Sequence, residues 1–334
     1  MEILRSLEEA AAHPGPSVVT IGSFDGIHLA HWELLRRVRQ LGRERNAASV
    51  AITFDPHPVQ VLAPHRAPKL LTPLSVKLEL LEKSGIDRLL ILPFTKEFSF
   101  WSPERFVDQV LHQALGAVDV VIGDNFRFGH EQAGTPELLR ELGALYRFRT
   151  EVLPKITLRG MTVSSSQIRA LLEAGKVRIA NRLLGRCFSI RNAVAPGLGI
   201  GRSQTVPTLN LAPYAELMPA AGVYITWTRV SLPADASSGA GAAAPLASRQ
   251  LRSVTNVGRR PTFGERELGV ETHLLESWQG SAPPEMEVSF LYRLRDERKF
   301  SSPEELRSQI VNDVHRAETY FHRLDRMRIG TLRG

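Results

Sequence analysis

Two histidines three residues apart, His28 and His31, follow a glycine-rich turn in TIGSFDGIHLAH, and a helical pattern begins directly after them. Residues three apart on a helix share a face, so both imidazoles can address one ligand. Gly22 and Gly26 let the backbone turn tightly and approach that ligand closely, with Ser23, Phe24 and Asp25 between them. A helix N-terminus adds unpaired N–H groups and a partial positive charge. The chemistry this suits is a grip on triphosphate, with stabilisation of charge on departing pyrophosphate by position and electrostatics. A pair of surface histidines would give the same spacing; the preceding strand and glycine turn favour the functional reading.

Three further segments could complete such a site. TFDPHP carries Asp55 and His57, each followed by a proline that stiffens the turn. GDNFRFGH offers Asn125 for a polar edge and Phe126 and Phe128 for a planar ring, although core packing would use the two rings equally well. VSSSQIRALLEAG begins a helix with Ser164, Ser165 and Ser166 and places Arg169 within reach. As an ordinary serine cap it needs no function; opposite the histidines it would clamp phosphate from the other side.

A second constellation lies further along. GLGIGRSQTVPTLNL combines Gly197, Gly199 and Gly201 with Arg202, then Thr208 and Asn210. In an extended segment positions 208 and 210 face the same side, so their oxygens could meet one Mg²⁺ and its waters. In VETHLLE, Glu271 stands on a strand-like run and could accept a proton from a hydroxyl attacking a γ-phosphate.

The elements that must carry these residues differ between the two halves. From residue 17, apolar β-branched runs (SVVTIGSF, ASVAITF, DRLLILPF, VDVVIG, TEVLPKI) alternate with helical periods (HWELLRRVRQLGRER, KLELLEKSG, PERFVDQVLHQALG, TPELLRELGALYRF). Such alternation predicts a parallel sheet covered on both faces, with ligands at the carboxyl ends of the strands. The motifs above all follow strands in that way. After about residue 185, short strand-like runs separated by Gly, Pro, Asn and Asp predict an antiparallel sheet or small barrel. PADASSGAGAAAPLAS, between two of these runs, reads as a low-complexity loop. A terminal helix is expected with Ser302 as cap, Pro303 in its first turn and Glu305 completing a capping box. Its buried stripe is expected to be Leu306, Ile310, Val314, Ala317 and Phe321.

Composition sets the outer bounds. The chain has 334 residues, 43% hydrophobic and 23% charged, which suits a globular protein of two domains. No apolar run approaches the ~20 residues of a membrane-spanning helix. The start MEILRSLEEAAAHPGP lacks the apolar centre of a signal peptide, so a cytoplasmic protein with no membrane partner is expected. The single cysteine, Cys187, excludes an internal disulfide and reads as a small core residue. A net charge of +7 favours anionic ligands. The basic residues are scattered, with no nucleic-acid signature, so no nucleic-acid partner is expected.

In order and intervening text, FDG-I-H, TFDPHP, NFRFG and SS-x-x-IR resemble the nucleotidylyltransferase superfamily with an H-x-G-H signature. They look most like the FAD synthetase module of bacterial bifunctional riboflavin kinase/FAD synthetases. GR-x-x-x-x-PT-x-N, NVG-x-RPTF, VETHLLE, LRDERKF and EELRSQIVND resemble the riboflavin kinase domain of the same family. Two domains are therefore expected, 1–185 and 186–334, the second a six-stranded antiparallel β-barrel with a terminal helix. The resemblance implies that residues 22–26, His28 and His31 bind ATP phosphates, completed by Asn125 and the serine-arginine segment. It implies that Thr208 and Asn210 bind Mg²⁺ with ATP, that Glu271 activates the ribityl 5′-hydroxyl, and that Arg295 belongs to a flavin-side loop. It also implies riboflavin, FMN, FAD and ATP as small-molecule partners; weak self-association is expected beside them. Four positions depart from the family text: Ser23 replaces an asparagine, Ala30 the glycine between the histidines, and Thr205 and Val206 the glycine and phenylalanine before PT-x-N. Of these, Ala30, Thr205 and Val206 sustain an alternative, a riboflavin kinase whose N-terminal nucleotide domain has become a regulator.

Overall fold

A computed structural model of the chain describes residues 1–195, 208–231, 248–259, 268–276, 278 and 283–331. It divides into two compact units, Met1–Gln167 and Ile168–Gly334.

The first unit is built on six strands: β1 (Glu2–Leu4), β2 (Ser17–Ile21), β3 (Ala48–Asp55), β4 (Arg88–Pro93), β5 (Ala117–Gly123) and β6 (Arg149–Leu153). They pair in the order β1-β4-β3-β2-β5-β6, and every pair is parallel. Helices α1 (Leu7–Ala11), α2 (Leu29–Arg45), α3 (Pro58–Leu62), α4 (Leu74–Ser84), α5 (Pro103–Phe106) and α6 (Pro136–Tyr146) fill the connections. A π-helical stretch, Val107–Ala114, continues α5. Strand side chains alternate between two cores, as a period of two requires. Val19, Ile21, Val50, Ile52, Leu90, Leu92, Val120 and Ile122 join Phe106, Val110 and Leu139 on one face. On the other, Ala51, Leu89 and Ile91 meet Leu35 and Leu81, and Val18 and Val121 meet Val38 and Leu41. Each fully buried aliphatic or aromatic side chain contributes about 1.5–3 kcal/mol. The strand order reverses between β2 and β5, so the loops after these two strands flank the crevice where such sheets bind ligands.

A short hairpin, β7 (Thr157–Leu158) and β8 (Met161–Thr162), leads into α7 (Ser165–Glu173). The second unit holds most of α7, then α8 (Val177–Leu184), six strands and α9 (Pro303–Thr331). Strands β9 (Phe188–Ala195), β10 (Thr208–Leu211), β11 (Gly222–Ser231), β12 (Ser248–Arg259), β13 (Leu268–Leu274) and β14 (Glu285–Arg295) close into a barrel. The barrel order is β10-β13-β12-β11-β14-β9, and all its pairs are antiparallel. The six-stranded barrel with a terminal helix is thus as expected. Helix α8 belongs to it: Asn181 donates from Nδ2 to the Phe290 carbonyl and accepts from the Phe188 amide.

The barrel interior is partly polar. Thr226, Thr228, Ser253, Thr255 and Thr272 are fully buried, and their hydroxyls bond one another at 2.7–3.0 Å. Each therefore meets the requirement that a buried polar group be partnered.

Helix α9 departs in two respects from its sequence pattern. Ser302 accepts from the Glu305 amide, but the Glu305 carboxylate turns to Ser301 rather than closing the box on Ser302. Ala317 and Phe321 are buried and Val314 partly so, whereas Leu306 and Ile310 are exposed. Burial starts only at Asp313, which is ion-paired, so the first two turns carry an apolar stripe with no core beneath it. The low-complexity stretch falls almost wholly outside the described residues.

Candidate active sites

β2 is buried along its whole length and delivers Gly22 to Ile27 at the crevice. The loop is bent hard: Phe24 and Ile27 take φ of 47° and 36°, beside Gly26 at 85°. Left-handed backbone at bulky side chains costs on the order of 1–3 kcal/mol and persists only where the surroundings fix it. Here they do. The Phe24 and Ile27 side chains are fully buried, and the Asp25 carboxylate accepts from the Leu71 and Thr72 amides and the Thr72 hydroxyl at 2.9–3.2 Å. Thr72 Oγ1 also accepts from the Gly26 amide at 2.9 Å.

His28 then caps α2, its Nδ1 accepting from the His31 amide at 3.4 Å. The two imidazoles stack, 3.7 Å between centroids and 11° apart in plane, with Phe24 edge-on to His31 at 5.1 Å. Both histidines therefore act on one side, as their spacing requires. His31 titrates well below the usual histidine range, first because it is desolvated, then because His28 and Lys77 place positive charge nearby. Its Nδ1 is buried and has no hydrogen-bond partner among the described residues.

The serine segment reaches the same loop. Ser165 donates to the Asp25 carbonyl at 2.8 Å across 140 positions of chain, and Ser164 caps α7 by accepting from the Gln167 amide. Ser166 is exposed, and Arg169 lies one turn along α7. Asp55 is exposed at the end of β3, and the Asp55–Pro56 peptide is cis. His57 caps α3 in a reciprocal pair with Gln60. Asn125 is exposed in the loop after β5. Phe128 is buried, stacked on Phe126 at 5.5 Å and close to Phe106. It lies flat on Gly134, where a Cβ would stand 2.5 Å from the ring, so the core reading of Phe128 has direct support.

Two features of this unit escaped the sequence reading. Lys77, on α4, is 3% exposed and donates from Nζ to the Ser23 carbonyl at 2.8 Å. Its signal was register: Lys77, Leu81 and Ser84 form one buried stripe, a place where lysine is rarely tolerated. The other is an aromatic cleft of about 520 Å³ whose walls include Phe94, Phe98, Trp101 and Phe106. Phe54, Phe94 and Phe98 meet edge to face or tilted at 5.7–6.1 Å. The cleft opens beside the carboxyl end of β4; its phenylalanine and tryptophan rings come from one stretch, 94–106, and residues 61–62 and 129–132 complete its walls.

In the barrel, Leu209 and Leu211 point inward, so Thr208 and Asn210 face outward together. Register places Thr208 opposite His273 and Asn210 opposite Glu271, with Asn256 of β12 opposite Glu271 on its other side. Directly opposed residues have Cβ atoms about 4.5–5.5 Å apart, so Thr208, Asn210, Glu271, His273 and Asn256 share one outer patch. Thr208 Oγ1 lies 3.4 Å from His273 Nδ1, and burial lowers the His273 pKa. Asn256 and His273 were legible only as strand residues. Arg295 ends β14 with its guanidinium committed to the buried Asp313 of α9 at 2.8–3.2 Å and to the Asp296 carbonyl. Cys187 is half-buried, and desolvation raises its pKa. Gly199, Gly201 and Arg202, with Gly197, Thr205 and Val206, lie outside the described residues.

Family models agree with this division. FAD synthetase matches residues 10–167 and riboflavin kinase matches 184–321. The bifunctional riboflavin kinase/FMN adenylyltransferase of Pseudomonas fluorescens is 33% identical over 94% of this chain and 96% of its own. That of Buchnera aphidicola subsp. Schizaphis graminum is 30% identical over 96% and 99%. The solved structure of the macrolide-efflux protein from Streptococcus pneumoniae superposes with a TM-score of 0.82 at 26% identity, over 95% of this chain and 99% of that one. The chain belongs to the bifunctional riboflavin kinase/FMN adenylyltransferase family.

Proposed function

We propose that the barrel unit phosphorylates riboflavin to FMN and that the sheet unit adenylylates FMN to FAD, each step using one ATP. The observation that carries the second step is the convergence of distant segments on one loop: Asp25 is held by Leu71 and Thr72, and its carbonyl by Ser165. A loop so fixed can present backbone N–H groups and two stacked imidazoles to triphosphate without rearranging, which is where electrostatic catalysis gains most. An FMN phosphate oxygen attacks the α-phosphorus, and pyrophosphate leaves toward His28 and His31. Ser164, Ser166 and Arg169 complete the phosphate clamp, and Asn125, Asp55 and His57 border the nucleotide. The aromatic cleft has the walls a flat isoalloxazine ring requires, and Phe126 extends them.

In the barrel, Glu271 takes the proton of the ribityl 5′-hydroxyl as it attacks the γ-phosphorus. Gly199, Gly201 and Arg202 complete the phosphate side, and Arg295 shapes the flavin-side loop through its anchor on Asp313. The Thr208 hydroxyl and Asn210 amide oxygen are hard donors on one face and fit Mg²⁺. Among the described residues no three His, Cys, Asp or Glu side chains cluster to hold a metal, so these two neutral oxygens would share the ion with ATP phosphates. Bound there, Mg²⁺ would offset triphosphate charge.

Among the described residues no helix is long and apolar enough to cross a membrane; we place the enzyme in the cytoplasm, with small molecules as its partners and self-association at most weak. We assign 1–185 to adenylylation and 186–334 to phosphorylation, although α8 packs with the barrel and the compact units divide at Gln167. Incubating purified protein with riboflavin, ATP and Mg²⁺, followed by chromatography, tests the whole reading. FMN and FAD should both accumulate. FMN alone would support the regulator alternative, which the family matches to both halves do not favour.

A further inference from the structure

Lys77 carries a charge where charge is hardest to keep. Its side chain is 97% shielded, since only 3% is exposed, and burial lowers its pKa against the opposing pull of Asp25 and Asp55. Among the described residues no carboxylate lies within ion-pair distance, and its sole side-chain hydrogen bond goes to the Ser23 carbonyl at 2.8 Å. An ammonium has three donors, so two find no acceptor among the described residues. Burying a cation with so little compensation is costly, and a Met of similar length would pack into the same stripe without that cost. The core therefore does not explain Lys77.

The neighbouring loop does. Ser23 immediately precedes Phe24, the first left-handed residue of the bend, and its carbonyl also accepts from Thr53 Oγ1 at 3.3 Å. Asp25 fixes the loop from one end through its carboxylate; Lys77 fixes it from the other through a carbonyl. The ammonium adds, after desolvation and His28, to what lowers the His31 pKa.

We infer that Lys77 is a positioning residue for adenylyl transfer: it holds the Ser23 carbonyl, and with it the 22–28 loop, in the shape that receives ATP, and sets a fixed positive charge beneath the triphosphate. The inference rests on the reading that this loop binds ATP. Lys77→Met keeps length and packing but removes donor and charge; Lys77→Arg keeps both. In the full chain, Lys77→Met should lower kcat/KM for ATP in FAD formation by about 30-fold or more, chiefly through KM for ATP, with KM for FMN and riboflavin phosphorylation unchanged. Lys77→Arg should recover most of that loss. Thermal unfolding of each variant is recorded beside the kinetics. Kinetics within threefold of the parent for Lys77→Met would overturn the inference. So would equal impairment of both variants, or a loss matched by disappearance of the N-terminal unit's unfolding transition, which would make the lysine structural. Absence of FAD formation in the parent chain itself would instead sink the underlying reading of the loop.

Discussion

The two candidate sites are held in place by opposite means. In the sheet unit the 22–28 loop is buried: Phe24, Asp25, Ile27 and His28 are each at most 5% exposed. Side chains from residues 53, 72, 77 and 165 clasp it. In the barrel, Thr208, Asn210 and Glu271 stand on an outward face, and strand register puts them side by side. A loop with left-handed bulky residues has no ladder to fix it, so tertiary bonds must. A strand already has its ladder and needs only the right residue at the right parity. Substitutions should therefore separate chemistry from stability in the barrel and couple them in the sheet unit.

The largest effect tests the barrel half of that contrast. Glu271 is exposed and opposes Asn210 and Asn256. Glu271→Gln should slow riboflavin phosphorylation by about 10²–10⁴-fold, the usual reach of general-base catalysis. Stability should stay within about 0.5 kcal/mol, as for most surface changes, and FAD formation from supplied FMN should persist. A variant that lost both activities would refute the assignment of this carboxylate to one site.

Asp25→Ala is the counterpart in the sheet unit, where chemistry and stability should fall together. Removing the carboxylate strands the Leu71 and Thr72 amides in the core and frees a strained bend. The cost should be about 3 kcal/mol, read by denaturant unfolding of the N-terminal unit, together with loss of FAD formation. Riboflavin phosphorylation should remain. Stability loss with adenylylation intact would show that the loop's shape does not matter to the reaction.

This contrast also explains what the sequence disclosed. Parity along a strand is written in the chain, so Thr208 with Asn210 and the two faces of the sheet were legible. So was the histidine pair, because three residues of helix fix its geometry. Lys77 and Thr72 were not, because their partners lie 46 to 54 residues away and depend on how α4 packs. The aromatic cleft was hidden in part for the same reason: its rings crowd into residues 94–106, but residues 61–62 and 129–132, which complete its walls, lie apart in sequence. The pairing of Arg295 with Asp313 was likewise absent from the sequence, and it adds an anchor for α9 to a residue expected in a flavin-side loop. Leu306 and Ile310 have the helical period of a buried stripe but no core beneath them. Period identifies a face and leaves open what covers it.

A smaller effect concerns pH and His31. Its folded pKa is depressed below the ordinary 6.5, so below about pH 6.5 the unfolded chain binds a proton that the folded one does not. The stability tied to the neutral ring is complete above that pH and is lost as pH falls toward the folded pKa, at up to about 1.4 kcal/mol per pH unit. His31→Gln cannot titrate. The stability difference between parent and variant should therefore shrink between pH 7 and 5 in urea titrations of the N-terminal unit. A difference constant with pH would mean that the ring is solvated.

The finest discrimination is at Ala30, where the family text has glycine. Ala30 lies in the first turn of α2 between the stacked histidines and is partly exposed. It belongs to the first turn of α2, whose leading N–H groups lack intrahelical partners; the His31 amide is only loosely engaged, at 3.4 Å from His28. Ala30→Gly removes the methyl and costs about 0.5–1 kcal/mol in helix stability. If the methyl crowds the phosphates, KM for ATP in FAD formation should fall about two- to fivefold, a gain of under 1 kcal/mol, despite the weaker helix. An unchanged KM with reduced stability would mean that the methyl points away from ATP and that alanine only stiffens the turn. The buried loop would then tolerate variation at positions its clasping bonds do not touch, and the barrel's separation of chemistry from stability would hold locally in the sheet unit as well.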